Sequence, residues 1–176
     1  MKSIFTIAFT LLVAIGYAQN SAADELATYK KNEYRIQYPM GWSIDTSGQS
    51  GTVFIIYSPR ENEADHFLAN VNLVIQQVDK KNNNLDSFVR QQALQIRANE
   101  TDGQIYEATK VETDKDVYYK LISSATKGVT LRLKYEQYFF IKNNNAFVIT
   151  LTSELDKFDS YKTIGEQILN SFTLTD

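Results

Sequence analysis

The chain has 176 residues, a formal charge of −3, one His and no Cys. Without thiols there can be no disulfides, thiolate nucleophiles, iron–sulfur clusters or thiolate zinc sites, and no lipid-bearing Cys of a bacterial lipoprotein. The mild acidic balance, with no basic run, argues against nucleic acid and anionic membranes as partners.

The first 18 residues read as a signal peptide. Lys2 supplies a positive start, Ile4 to Ile15 is apolar apart from Thr6 and Thr10, and Gly16-Tyr17-Ala18 offers small residues to a signal peptidase. The apolar run is about a dozen residues, short of the ~20 that span a bilayer. Residues 19–32 are polar and Ala-rich, a flexible lead-in to a single domain over 33–173.

The domain opens with alternation: Tyr34, Ile36 and Tyr38 on one face, Arg35 and Gln37 on the other, the period of a strand. Pro39 cannot donate to a ladder and ends it. Trp42 and Ile44 share one face of the next short strand, and Asp45 to Gly51 turns the chain. Thr52 to Ser58 is a β-branched, aromatic run suited to a well-buried strand, followed by a polar loop to Phe67. Ala69, Val71, Leu73 and Ile75 alternate with mostly polar residues, giving a half-buried strand. Leu85, Phe88, Val89, Ala93 and Ile96 then recur at helical spacing, predicting a helix over 85–98 capped by Asn83 or Asn84.

Strands over 104–112 and 117–124 flank a turn at Thr113 to Asp116. A long strand runs from Val129 to Ile141, with Val129, Leu131, Leu133 and Tyr135 opposite Thr130, Arg132, Lys134 and Glu136. Asn143-Asn144-Asn145 tolerates left-handed geometry, so residues 146–152 return antiparallel. A helix over 156–170 closes the chain, with Phe158, Tyr161, Ile164, Ile168 and Leu169 as its stripe and Asp156 as candidate N-cap. Hairpin-like connections with one helix late in each half make this an α+β protein: a central antiparallel sheet with helices packed on its faces.

The stretch Tyr34-Arg35-Ile36-Gln37-Tyr38-Pro39-Met40-Gly41-Trp42 resembles the opening motif of PsbP-like proteins. Glu136-Gln137-Tyr138, with the Asn-rich turn and Ala146 to Thr150, is similar to the family's penultimate hairpin; Ile168-Leu169-Asn170-Ser171-Phe172 resembles the end of its last helix. The resemblance implies a Mog1/PsbP-like fold in an exported bacterial member of the family. It further implies an accessory or binding role, since proteins of this fold mostly hold partners. It requires Trp42 to be buried under a helix.

Chemistry-bearing motifs are few. The seven glycines form neither a P-loop nor a dinucleotide fingerprint, and Gly48-Gln49-Ser50-Gly51 lacks the spacing of a nucleophile elbow. The carboxylate pairs Asp114/Asp116 and Glu61/Glu63 lie in polar loops, where solvation outweighs acid–base work. Glu61, Glu63, Asp65 and His66 share one loop and are the weak candidates for a divalent-cation site; the favoured reading is an exposed acidic loop without metal. Asn99-Glu100-Thr101 fits a glycosylation sequon, of consequence only in a eukaryotic secretory pathway. Tyr118-Tyr119 and Tyr138-Phe139-Phe140 put aromatics on both faces of their strands, favouring a sheet covered on both sides over an exposed aromatic patch.

The expectation is a soluble, monomeric, non-catalytic accessory protein of the bacterial envelope, periplasmic or extracellular, with a protein partner and no cofactor. The alternative is a small-ligand or lipid binder with an aromatic-lined pocket between sheet and helix; a carboxylate-dependent hydrolase is the least favoured reading.

Overall fold

A computed structural model describes residues 25–63, 65–79 and 84–175. The expected signal peptide and the start of the lead-in lie outside the described residues, as does Asn83. Strands β1 (Leu26–Lys30), β2 (Tyr34–Pro39), β3 (Ser43–Asp45), β4 (Phe54–Tyr57) and β5 (Asn70–Gln77) precede helix α1 (Leu85–Asn99). Then come β6 (Thr101–Glu112), β7 (Val117–Lys127), β8 (Leu131–Lys142), β9 (Asn145–Glu154), helix α2 (Phe158–Ser171) and β10 (Thr173–Leu174).

Seven strands form one sheet in the order β3-β4-β5-β9-β8-β7-β6, every pair antiparallel, and a smaller sheet is ordered β1-β2-β10. The protein is α+β, as expected. Two Asn residues with positive φ, Asn143 (52°) and Asn144 (61°), make the β8–β9 hairpin as short as a two-residue turn allows. Asn84 caps α1 by accepting from Ser87 N at 3.1 Å.

Register assigns each face of the large sheet. Ile56, Val71, Leu151 and Glu136 lie in one cross-strand row, and Phe54, Leu73, Ile149 and Tyr138 in the next. This face packs against α2 and the small sheet, forming the main core with Tyr34, Ile36, Trp42, Phe158, Ile168 and Leu169. The opposite face carries Leu121, Phe139 and Ala146, which α1 covers with Phe88 and Val89. Tyr138, Phe139 and Phe140 are therefore all buried, alternately under the two helices, while Tyr118 and Tyr119 are half-buried.

The family motif at 34–42 forms a corner. Trp42 N donates to Pro39 O at 2.9 Å, closing a four-residue turn, and the Trp42 ring meets Tyr161 of α2 edge-on at 6.4 Å. Trp42 is 8 % exposed, buried beneath the helix as the resemblance requires. The closing Ser-Phe pair has an equally local task. Ser171 Oγ accepts from Gln37 N at 2.8 Å and lies 3.0 Å from Gln37 O, continuing along β2 the ladder that β10 begins. Phe172 stacks on Tyr34. At Gly165 α2 comes so close to the sheet that an added methyl group would collide with the Leu151 side chain.

Four expectations need correction. Leu26–Lys30, read as flexible lead-in, is strand β1, paired along its length with β2. Its alternation is carried only by Ala27 and Tyr29, the half-buried residues, which Ala-rich composition hides. Asp156 does not cap α2; Lys157 occupies the N-cap position, without a side-chain bond, after a turn closed by Lys157 N to Glu154 O. Val129 is not in a strand but exposed in the β7–β8 turn. Glu136, placed by alternation on a polar face, is fully buried, because α2 covers that face.

Candidate functional site

The loop after β4 was the one sequence candidate for a cation. Two of its four candidates, Asp65 and Glu61, are engaged by other groups. Asp65 is 6 % exposed; its Oδ2 accepts from the backbone N–H of Glu61 (2.9 Å) and Asn62 (3.0 Å), and its Oδ1 from Lys157 Nζ (2.9 Å). Glu61 Oε1 accepts from the Tyr161 hydroxyl at 2.7 Å, while Glu63 and His66 are exposed. Among the described residues no three His, Asp or Glu side chains are grouped to hold a metal. The loop is a clasp on the start of α2, and Asp65 departs from the exposed acidic loop the sequence suggested.

Bonds from Lys157 and the two backbone amides outweigh partial desolvation and hold the Asp65 carboxyl below its usual range. A depressed carboxyl stabilises the fold above the ordinary Asp pKa and loses that contribution as pH falls through its folded value. Asp65→Asn should therefore lower the melting temperature at pH 7 and bring variant and wild type together under strongly acidic conditions. A pH-independent difference in calorimetry would contradict this role.

Of the carboxylate pairs, Asp114 and Asp116 share the β6–β7 turn, where Thr113 Oγ1 accepts from Asp116 N at 3.0 Å, and Glu61 and Glu63 are solvated. The unforeseen ionisable cluster is internal. Lys120 Nζ lies 2.9 Å from Glu136 Oε1 and 3.1 Å from Glu166 Oε1, joining β7, β8 and α2. Burial raises the Glu136 carboxyl, with Lys120 opposing it. Burial disfavours the charged Lys120 too, but its bonds to both carboxylates win and raise it. Glu136 belongs to the family-like Glu-Gln-Tyr stretch, but its pairing with Lys120 and Glu166 depends on tertiary contacts.

The strongest surface feature sits at the 34–42 corner. A hollow of about 510 Å³ opens between β1–β2 and α2, with Leu26, Pro39, Ile164 and Ile168 in its lining beside Gln37 and Asn170. Leu26 pairs with Pro39 in its lining, and Met40, next in the chain, begins the adjoining turn, where its N donates to Glu25 O. Leu26 and Met40 are 51 % and 58 % exposed. The hollow falls within the roughly 300–1,000 Å³ of binding pockets, and the exposed Leu26 in its lining, with exposed Met40 in the adjoining turn, marks an interaction surface. The Tyr-Pro-Met-Gly-Trp sequence carried this signal: Trp42 anchors the turn, and the turn holds Met40 outward.

This architecture agrees with a family assignment made from sequence. The PsbP family model matches residues 24–174. The chain belongs to the PsbP family. Among solved structures, this PsbP-family chain is similar to cyanobacterial PsbP (CyanoP) from Synechocystis, with a TM-score of 0.64 at 16% identity over 93% of this chain and 99% of that one. It is also similar to LpqN of Mycobacterium tuberculosis, a protein involved in cell envelope biogenesis, with a TM-score of 0.62 at 10% identity over 93% of this chain and 100% of that one. A putative regulator of unknown function from Pseudomonas aeruginosa aligns with a TM-score of 0.58 at 14% identity, covering 86% of this chain and 98% of that one. At these identities the structural likenesses show the fold. Comparison with curated protein sequences gave no match.

No helix among the described residues is long and apolar enough to cross a membrane. The lining between sheet and helix differs from the aromatic pocket foreseen for a ligand binder. Beside α1 the hollows are lined largely by Gln, Asn and Ser, with Phe88 and Tyr135 as the aromatics, and beside α2 by four aliphatic and four polar residues.

Proposed function

We infer that this PsbP-family protein is an exported, non-catalytic accessory protein that holds a protein partner at the Leu26–Met40 corner. The carrying observation is the exposed Leu26 side chain in a hollow between a paired strand and a helix, beside Pro39, Ile164 and Ile168, with exposed Met40 in the adjoining turn. Such a recess takes an apolar anchor residue from another protein, with Gln37 and Asn170 available to its backbone. The signal-like first 18 residues and the absence of Cys support work outside the cytoplasm without a lipid anchor, in the periplasm or beyond the cell. LpqN, of the same fold, is involved in cell envelope biogenesis, which is consistent with an envelope role here.

The test is capture from the native envelope fraction. Tagged wild type should retain one protein in stoichiometric amount, and Leu26→Glu with Met40→Glu should release it while the melting temperature holds, since exposed substitutions usually shift stability by no more than about 0.5 kcal/mol. Recovery of lipid without protein, or capture indifferent to both substitutions, would overturn the reading.

A further inference from the structure

The opposite face of the sheet carries a second, chemically different feature. Helix α1 lies across β6, β7 and β8, and along its open side run two hollows of about 280 and 420 Å³ that share Gln92 and Gln95. The first is lined by Gln92, Gln95 and Asn99 from α1 and by Ser123, Tyr135 and Gln137 from the sheet. The second continues past Gln91 toward Gln76 and Gln77 of β5. A seam between helix and sheet is ordinarily apolar; the first hollow carries neutral amides and hydroxyls on both walls, and the second adds Val78, Asp79 and Phe88 to its glutamines.

Solvation explains the helical glutamines, but not the sheet residues. Ser123, Thr150 and Thr152 are buried, and by register they lie in the rows of Tyr135 and Gln137 on this face. The Tyr135 hydroxyl is shielded from solvent yet has no hydrogen-bond partner among the described residues. Leaving such a group unpaired costs about 1–3 kcal/mol, and a buried orphan calls for an explanation.

We propose that this trough binds a neutral, polyhydroxylated ligand, a segment of glycan chain. The surface proposed for the protein partner lies on the other side of the sheet, so the two readings stand independently. Each side-chain amide offers both donors and an acceptor, and each hydroxyl does both, which matches a ligand made of hydroxyls. Among the described residues neither hollow is lined by a cation to hold an anionic ligand; of the two carboxylates, Glu100 at one end is occupied by Lys127, and Asp79 lies at the far end of the second hollow. A lipid chain would bury the amides unpaired. A peptide would need a succession of apolar pockets for its side chains, whereas Ile96 and Ala125 in the first hollow and Val78 and Phe88 in the second are set among a majority of amides and hydroxyls.

The full-length protein, labelled with ¹⁵N, would be titrated separately with maltotriose, cellotriose, mannotriose and chitotriose, and with an uncharged Gly-Ser peptide. At least one sugar should move the side-chain amide signals of Gln92, Gln95 and Gln137 saturably. Gln137→Ala should then weaken binding roughly 3- to 10-fold, and the double variant Gln92→Leu/Gln95→Leu should abolish it with an unchanged backbone spectrum. Silence with all four sugars at tens of millimolar would overturn the proposal. So would shifts with the peptide alone, or sugar binding that both variants leave intact.

Discussion

Trp42→Ala is expected to lower stability by about 3–5 kcal/mol, the usual cost of deleting a large aromatic from a core. Against a typical total of roughly 5–15 kcal/mol, that would leave the domain marginal. The ring fills the space between the Pro39–Trp42 turn and α2, where it meets Tyr161, which itself holds Glu61 of the clasp loop. The loss should therefore be read as a lower urea midpoint with an unchanged slope, and as earlier proteolysis within the 59–66 loop. A cost below about 1 kcal/mol would mean that the corner collapses onto the gap, contrary to the close packing of protein interiors.

Lys120→Ala should be comparably damaging, for an electrostatic reason. It leaves the fully buried Glu136 carboxylate without its cation, and breaking a buried pair this way costs about 3–5 kcal/mol. The folded state already holds the Glu136 proton more tightly than the unfolded chain does, because burial raises its carboxyl. A raised carboxyl favours folding at low pH, and that advantage is lost as pH climbs from the ordinary carboxylate value through the folded one. The Lys120→Ala defect should thus be large at pH 7 and shrink toward pH 4, and adding Glu136→Gln should recover most of it. Denaturant melts across that range decide the matter: a defect that ignores both pH and Glu136→Gln would mean Lys120 acts through packing alone.

These residues show where reading the chain succeeds and where it stops. Alternation along Tyr34–Tyr38 and the helical spacing of Phe88, Val89 and Ile96 are local signals, and each placed its element. The Asn-rich turn worked because left-handed backbone is a property of single residues. Strand β1 escaped because five residues with one aromatic become a strand only when β2 offers a ladder. Asp65 was misread for a related reason: its partner Lys157 is 92 positions away, so no local pattern separates a buried tether from a solvated acid. Glu136 looked polar by period, and only the placement of α2 above it made it internal. The glutamine trough did leave a trace, since Gln91, Gln92, Gln95 and Asn99 fall on one side of α1 beside its apolar stripe. Uncharged polar residues on a helix are so readily accounted for by solvent that the trace acquires meaning only beside Tyr135 and Gln137.

Gly165 sits next to Ile164 and one turn before Ile168 and Leu169, at the closest approach of α2 to Leu151. The same turn forms a wall of the hollow at the Leu26–Met40 corner. The recess is thus gauged from its hidden side: the bare α-carbon fixes how low the helix rides, and that height fixes the shape of the opening. Changes at Leu151 or Gly165, neither of which a partner would touch, can retune what fits there, so the protein can alter its selectivity without altering a single surface side chain.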